Sequence, residues 1–151
     1  MQFSRSRLLL GDAALMKLQN VRIIIFGVGG VGSWCAESLI RTGVTHLTIV
    51  DSDTVNITNC NRQVLATSKT VGMVKVKVMK ERLLEINPNA EIVAINQMFC
   101  KETADSFHLE QYDYVIDAID SLKDKVYLIM LATEISKKIF DGELKTFILI
   151  T

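Results

Sequence analysis

Gly27-Val28-Gly29-Gly30-Val31-Gly32 joins a run of β-branched residues to a stretch with helical spacing. The glycines at Gly27, Gly29, Gly30 and Gly32 permit a tight turn and a close approach of backbone to ligand. The helix that follows offers free N–H groups to a phosphate. Asp51 closes the next apolar run roughly 20 residues later, where a carboxylate can accept hydrogen bonds from ribose hydroxyls. Turn and aspartate suit NAD and ATP alike. The residues beyond discriminate further: Asp51-Ser52-Asp53 opens a polar segment reaching Thr70, with Asn59, Arg62, Lys69 and then Lys75 along it. Cations beside a phosphate turn are what a triphosphate requires, because charge builds as pyrophosphate leaves.

These groups need a scaffold, and the apolar periodicity supplies one. Val21–Phe26 reads as a buried strand, and a helix follows from about Gly30 to Thr42 with Val31, Cys35, Leu39 and Thr42 along its inward stripe. Leu47–Val50 is a second strand. Helical spacing resumes at Val71, Val74, Val78, Leu83 and Ile86 and stops at Asn87-Pro88. Glu91–Ile95 is a third strand and Tyr112–Ile119 a fourth. A helix runs from about Leu122 to Lys137, with Leu122, Val126, Ile129, Met130 and Thr133 facing inward, and Thr146–Ile150 begins a fifth strand. Strands alternating with helices imply an α/β, Rossmann-like fold: a mostly parallel sheet with helices on both faces. That domain spans 21–151. An amphipathic helical arm over 1–20 precedes it.

Composition narrows the partners. Hydrophobic residues are 49% and charged residues 23% of the chain, which supports a packed core rather than disorder. Basic and acidic residues number 17 each, so bulk attraction to a polyanion is not expected and any nucleic-acid contact must be local. No apolar run approaches the roughly 18 residues of a membrane span, and no partner membrane is expected. Cys35, Cys60 and Cys100 contain no CxxC pair, which argues against a thiolate zinc site and for a reduced, cytoplasmic setting. His46 and His108 have no carboxylate partner identifiable from sequence, and Trp34 suits a core or interface position.

In order along the chain stand the glycine turn, Val50-Asp51-Ser52-Asp53, Asn59-Cys60-Asn61-Arg62-Gln63, Val71-Gly72-Met73-Val74-Lys75, Ile86-Asn87-Pro88 and Asp117-Ala118-Ile119-Asp120. Together they resemble the adenylyltransferase domain shared by ubiquitin-activating enzymes and the bacterial enzymes that activate thiamine and molybdopterin sulfur carriers. Phe3-Ser4-Arg5-Ser6-Arg7-Leu8-Leu9-Leu10-Gly11 and Met79-Lys80-Glu81-Arg82 are most similar to the tRNA threonylcarbamoyladenosine dehydratase branch. The resemblance implies ATP and Mg²⁺ as cofactors, a homodimer, and tRNA carrying threonylcarbamoyladenosine as partner. It implies that Gly29, Gly30 and Gly32 approach the phosphates and Asp51 the ribose. Asn59, Arg62 and Lys75 would hold the triphosphate, and Asp120 the metal. Arg5 would reach across the dimer to the partner's ATP. Asp53 and Asp117 match recurrent positions for which structural roles serve as well.

The implied chemistry is attack of a carboxylate on the α-phosphorus of ATP, giving an acyl-adenylate from which AMP departs readily. In the dehydratase branch an atom of the substrate's own carbamoyl linkage then closes a ring, so no thioester cysteine is needed. A sulfur-carrier protein with a C-terminal carboxylate is the rival acceptor, and a non-catalytic nucleotide-binding fragment a further reading. An NAD-dependent oxidoreductase would leave Arg62, Lys75 and Asp120 without a task. Dehydratases of this branch are longer, which implies C-terminal truncation near Phe147–Thr151. Phe140–Thr146 matches the family poorly, and Gln2 stands where relatives often carry arginine. The resulting expectation is an adenylating enzyme whose ATP affinity survives and whose turnover in this short chain is in question.

Overall fold

The computed structural model describes residues 2–138 and 146–149, with side chains as far as residue 136. After two short helices, α1 (Ser4–Leu10) and α2 (Asp12–Asn20), the chain forms β1 (Arg22–Phe26), α3 (Gly30–Thr42), β2 (His46–Val50), α4 (Lys75–Ile86), β3 (Glu91–Ile95), β4 (Tyr114–Asp117), α5 (Leu122–Lys138) and β5 (Thr146–Leu149). The strands make one five-stranded sheet in the order β3-β2-β1-β4-β5. Every pairing is parallel, with Ile25 opposite Ile49 on one side and Ile116 on the other. The expected α/β architecture is therefore present. Residues 140–145, where the family match is poor, and Ile150 of the expected fifth strand lie outside the described residues.

Alternation along β1 explains the two-sided core. Ile23 and Ile25 point to one face and pack with Ala36 and Ile40 of α3 and Val76, Met79 and Leu83 of α4. Ile24 and Phe26 point to the other, with Val115, Phe99, Phe107 and Leu128. Side chains of successive strand residues leave opposite faces, so a strand buried on both must be apolar throughout. Between β3 and β4 the second face is covered by 3₁₀ turns at Ala104–Phe107 and Leu109–Gln111 rather than by a long helix. Phe26, Phe99 and Phe107 fill that gap, with ring centroids 4.7 and 5.1 Å from Phe26.

Two helix faces differ from the sequence expectation. On α3 the buried residues are Gly32, Ser33, Ala36, Glu37 and Ile40, while Val31 is exposed and Cys35 only half-buried. Glu37 lies inside because Arg41 and Arg82 both reach it, at 2.7 and 2.6 Å. On α5 the inward residues are Leu128 and Ala132, with Tyr127, Leu131 and Ile135 beside them. Leu122, Val126 and Met130 are exposed, as is Thr133, and Ile129 is half-buried. Apolar residues surround this helix, so periodicity alone does not select a face. α4 also begins at Lys75, not near Val71, because the preceding residues are occupied in closing a loop.

That loop is the polar segment after β2, and it is folded. Thr54 and Val74 form an antiparallel bridge, and at its neck the Val55 N–H donates to the Met73 carbonyl while the Val55 carbonyl accepts from the Gly72 N–H, both at 2.8 Å. Val55, Leu65 and Ala66 are buried beneath it. Asn56 and Asn59 cap its 3₁₀ turn at Ile57–Asn59 reciprocally. The arm, by contrast, is broken at Gly11 into two helices rather than one. α1 buries none of its residues and α2 only Leu15.

Candidate nucleotide-binding site

Strand order reverses between β1 and β4, and a ligand crevice forms where such a reversal separates the loops at the carboxyl ends of the strands. A cavity of about 300 Å³ opens there. Phe26, Gly27 and Gly29 line it from β1 and its turn, Val50–Asp53 from β2, Gln97–Phe99 from β3, and Ala118–Ser121 from β4. Asn59, Arg62, Gln63, Lys75 and Asp124 complete the wall.

The floor is backbone against backbone. Gly27 has φ 91°, and a Cβ on it would lie 2.4 Å from the Ala118 carbonyl oxygen. A Cβ on Gly32 would lie 1.9 Å from the Gly27 oxygen, so side chains are excluded from both positions. Gly32 is absent from the cavity lining; its place is the close packing of α3 on the turn. Gly29 and Gly30 have more room. A Cβ there would sit 3.7 Å from Gln63 Nε2 and 3.6 Å from the Arg62 stem. Gly29 lines the cavity and Gly30 lies beside it against the Arg62 side chain, at the N-terminus of α3 where backbone N–H groups have no helical partner.

Asp51 fastens this floor to the next wall. Its Oδ2 accepts from the Val28 N–H at 2.9 Å and its Oδ1 from the Asp53 N–H at 2.8 Å. A carboxylate has lone pairs to spare, so these bonds leave capacity for ribose hydroxyls. Asn59 is buried and its Oδ1 accepts from the Asn56 N–H at 2.8 Å, which leaves the amide NH₂ as the half that can meet a phosphate.

The cations are held differently. Arg62 is exposed, and its Nη1 donates to the Thr58 carbonyl and to Asn61 Oδ1, both at 3.1 Å. Lys75 is only 5% exposed, and its Nζ meets Asp53 Oδ2 at 2.8 Å. It is the first residue of α4, where the helix dipole disfavours a cation, and Asp53 offsets that. Lys69 is exposed and absent from the cavity wall.

On the opposite lip, Asp117 is buried. Its Oδ1 accepts from the Ile119 N–H at 2.9 Å and its Oδ2 from Lys125 Nζ at 2.8 Å. This pair fixes the turn that carries exposed Asp120 into the cavity, with Asp124 beside it.

Arg62, Lys75 and Asp120, from three separate stretches of chain, thus line one cavity with Gly27, Gly29, Asp51, Asp53 and Asn59. Gly30 borders it through Arg62, and Arg5, on α1, is absent from its wall. Sequence reasoning missed roles for Gln63, Gln97, Phe99, Asp124 and Lys125. Asp124 stands four residues after Asp120, a signal that was present. Gln97 and Phe99 arrive only through the parallel crossover. Gln63 is buried with its Oε1 unpartnered.

The remaining candidates have ordinary partners. His46 Nδ1 pairs with Glu91 at 3.0 Å and His108 with Glu110 at 3.4 Å, across contacts that sequence did not reveal. Burial pushes the Cys35 thiol up, Cys100 bonds Thr103, and Cys60 is exposed. Arg82 is engaged with Glu37. Trp34 is neither core nor buried. Among the described residues no helix is long and apolar enough to cross a membrane.

The profile of the ThiF family matches residues 3–147. The chain belongs to the ThiF family. Among its relatives are tRNA threonylcarbamoyladenosine dehydratases of Bacillus subtilis, 46% identical over 84% of this chain and 50% of that protein, and of Escherichia coli, 40% identical over 85% and 48%. A crystal structure of the E. coli dehydratase in complex with ATP superimposes with a TM-score of 0.86 at 38% identity, covering 88% of this chain and 55% of that one. This ThiF-family chain spans about half the length of the curated relatives it matches.

Proposed function

We propose that this chain carries the ATP site of a carboxylate-adenylating enzyme, and that the carboxylate is the threonyl group of threonylcarbamoyladenosine in tRNA. The convergence of the glycine turn, Arg62, Lys75 and Asp120 on one cavity of about 300 Å³ carries the reading. The dehydratase relatives and the ATP-bound E. coli structure support it.

In the proposed reaction a carboxylate oxygen attacks the α-phosphorus, the bond to the β-phosphate oxygen breaks, and pyrophosphate leaves. A nucleophilic atom of the carbamoyl linkage then attacks the activated acyl carbon, closes a ring and releases AMP; the linkage gives up one proton. The protein's task is alignment and charge stabilisation. N–H groups of the turn and the Asn59 amide would hold phosphate oxygens. Arg62 would offset the charge that grows on pyrophosphate. Lys75 has three donors, so it can keep Asp53 and still reach a phosphate. Asp51 would accept from the ribose, and Phe26 and Phe99 offer an apolar wall to the base.

Asp120 and Asp124 would hold Mg²⁺. The described residues contain no cluster of three or more metal-binding side chains. Magnesium commonly takes only one or two carboxylates and completes its shell with water and phosphate oxygens, so the pair fits. When bound, the ion supplies further neutralisation of the leaving pyrophosphate.

The same reading includes a homodimer in a cytoplasmic setting. Arg5 lies on a helix that buries nothing, on an arm whose Leu8 and Leu9 are 82% and 84% exposed, which suits an arm laid on a second copy with Arg5 serving that copy's ATP. Free Cys35, Cys60 and Cys100 suit a reduced compartment.

Adenylation of a sulfur-carrier C-terminus is the second reading, favoured by 34% identity to an adenylyltransferase and sulfurtransferase of Culex quinquefasciatus over 91% of this chain. ATP–pyrophosphate exchange separates the two. Exchange that depends on threonylcarbamoyladenosine-containing tRNA supports the first, and exchange that depends only on a carrier protein replaces it with the second. ATP binding without exchange for either acceptor leaves a nucleotide-binding fragment. A folded chain with no ATP binding by calorimetry defeats all three.

A further inference from the structure

Arg62 sits on a loop, yet its guanidinium must be held over the glycine turn. Two neighbouring residues of α3 reach that loop. Ser33, fully buried, accepts from the Val64 N–H at 3.3 Å. Trp34 donates its indole Nε1–H to the Arg62 carbonyl at 3.0 Å. The helix that bears Gly30 at its start therefore fastens the segment on both sides of Gln63, and the Arg62 stem lies against Gly30.

Trp34 is 54% exposed, so core packing does not account for so large a side chain here. Its donor does. Phenylalanine would cover the same surface without an N–H, and would leave the Arg62 carbonyl without its indole donor, its peptide then held on one side alone, by the Gln63 N–H donating to the Asn59 carbonyl at 2.9 Å. We propose that Trp34 is a positioning residue of the nucleotide site: its indole N–H holds the Arg62 backbone so that the guanidinium stays over Gly30. This assignment rests on the nucleotide reading above. The chain contains one tryptophan, so indole emission reports from this point alone.

The test is calorimetric titration of the chain with ATP and magnesium chloride, in a cycle of wild type, Trp34→Phe, Arg62→Ala and the double variant. Loss of one ordinary hydrogen bond corresponds to about a fivefold change in an equilibrium constant. Trp34→Phe is expected to weaken ATP binding about fivefold in the wild-type background and to have no effect once Arg62 is alanine. Tryptophan emission of the unaltered chain is expected to change on ATP addition, and Arg62→Ala to abolish the change. This second measurement serves even if Trp34→Phe fails to fold. Equal losses in both backgrounds, no loss at all, or silent emission while calorimetry records binding would each overturn the positioning role and leave the nucleotide reading standing. A wild-type chain that binds no ATP removes both.

Discussion

The cavity and the arm are built on opposite principles. Around the cavity several charged side chains are tied to backbone or to a counter-charge: Asp51 to Val28 and Asp53, Lys75 to Asp53, and Asp117 to Ile119 and Lys125. The arm contributes one buried residue, Leu15, and turns leucines to solvent. A site that must be preorganised is built from mutual constraints inside the sheet domain, because aligned dipoles act without reorganising when charge develops. The arm touches its own domain through Leu15, Leu18 and the Gln19 carbonyl, which accepts from Thr45 Oγ1, and leaves Leu8 and Leu9 in solvent.

The comparison breaks most visibly at the cavity floor. Gly32→Ala puts a Cβ 1.9 Å from the Gly27 oxygen, and we expect a loss of more than ~4 kcal/mol in urea unfolding. A stable, ATP-binding Gly32→Ala chain would show that the floor yields. Behind the floor, Glu37→Ala should cost about 1.5–3 kcal/mol, the scale of hydrogen bonds to a charged group, since the arginines it leaves, Arg41 and Arg82, reach solvent. Burial raises the Glu37 carboxyl, but the hydrogen bonds and charges of Arg82 and Arg41 outweigh it and hold the group below its ordinary 4.5. The folded value is thus the lower one. Its stabilisation is complete above the unfolded value and disappears as pH falls through the folded one. Acid titration of wild type should show an extra loss below about pH 4.5 that Glu37→Ala lacks.

Arg62→Ala should leave unfolding nearly unchanged while removing about 3 kcal/mol of transition-state stabilisation in pyrophosphate exchange. An active enzyme indifferent to that change would take Arg62 out of the chemistry. At the far end, Leu8→Ser with Leu9→Ser should alter chain stability by under ~0.5 kcal/mol, yet lower self-association measured by sedimentation. A substantial loss of stability would mean the arm belongs to the fold after all.

Much of this was legible beforehand. The helix at Gly30–Thr42 and the strand at Glu91–Ile95 were readable to the residue, because apolar runs there are bounded by glycine turns and by Asn87-Pro88. Arg62, Lys75 and Asp120 were legible as a motif, and the fold brings them to one cavity. Helix faces were not. Glu37 is inside only because Arg82 arrives from α4, and α5 is apolar on too many sides for spacing to choose. The pairing of Lys75 with Asp53, and the arrival of Phe99 and Gln97, depend on loops closing in three dimensions, which no local pattern encodes.

The contact of Gly27, Gly32 and Ala118, main chain on main chain, has a consequence for diversification. A surface made of peptide groups keeps its shape whatever side chains surround it. On the nucleotide reading proposed above, descendants of such a domain could adjust what the cavity admits by altering Gln97 or Phe99 on its rim, while the glycine floor passes on unaltered. Redesign for another nucleotide should accordingly begin at the rim and leave the base of the cleft alone.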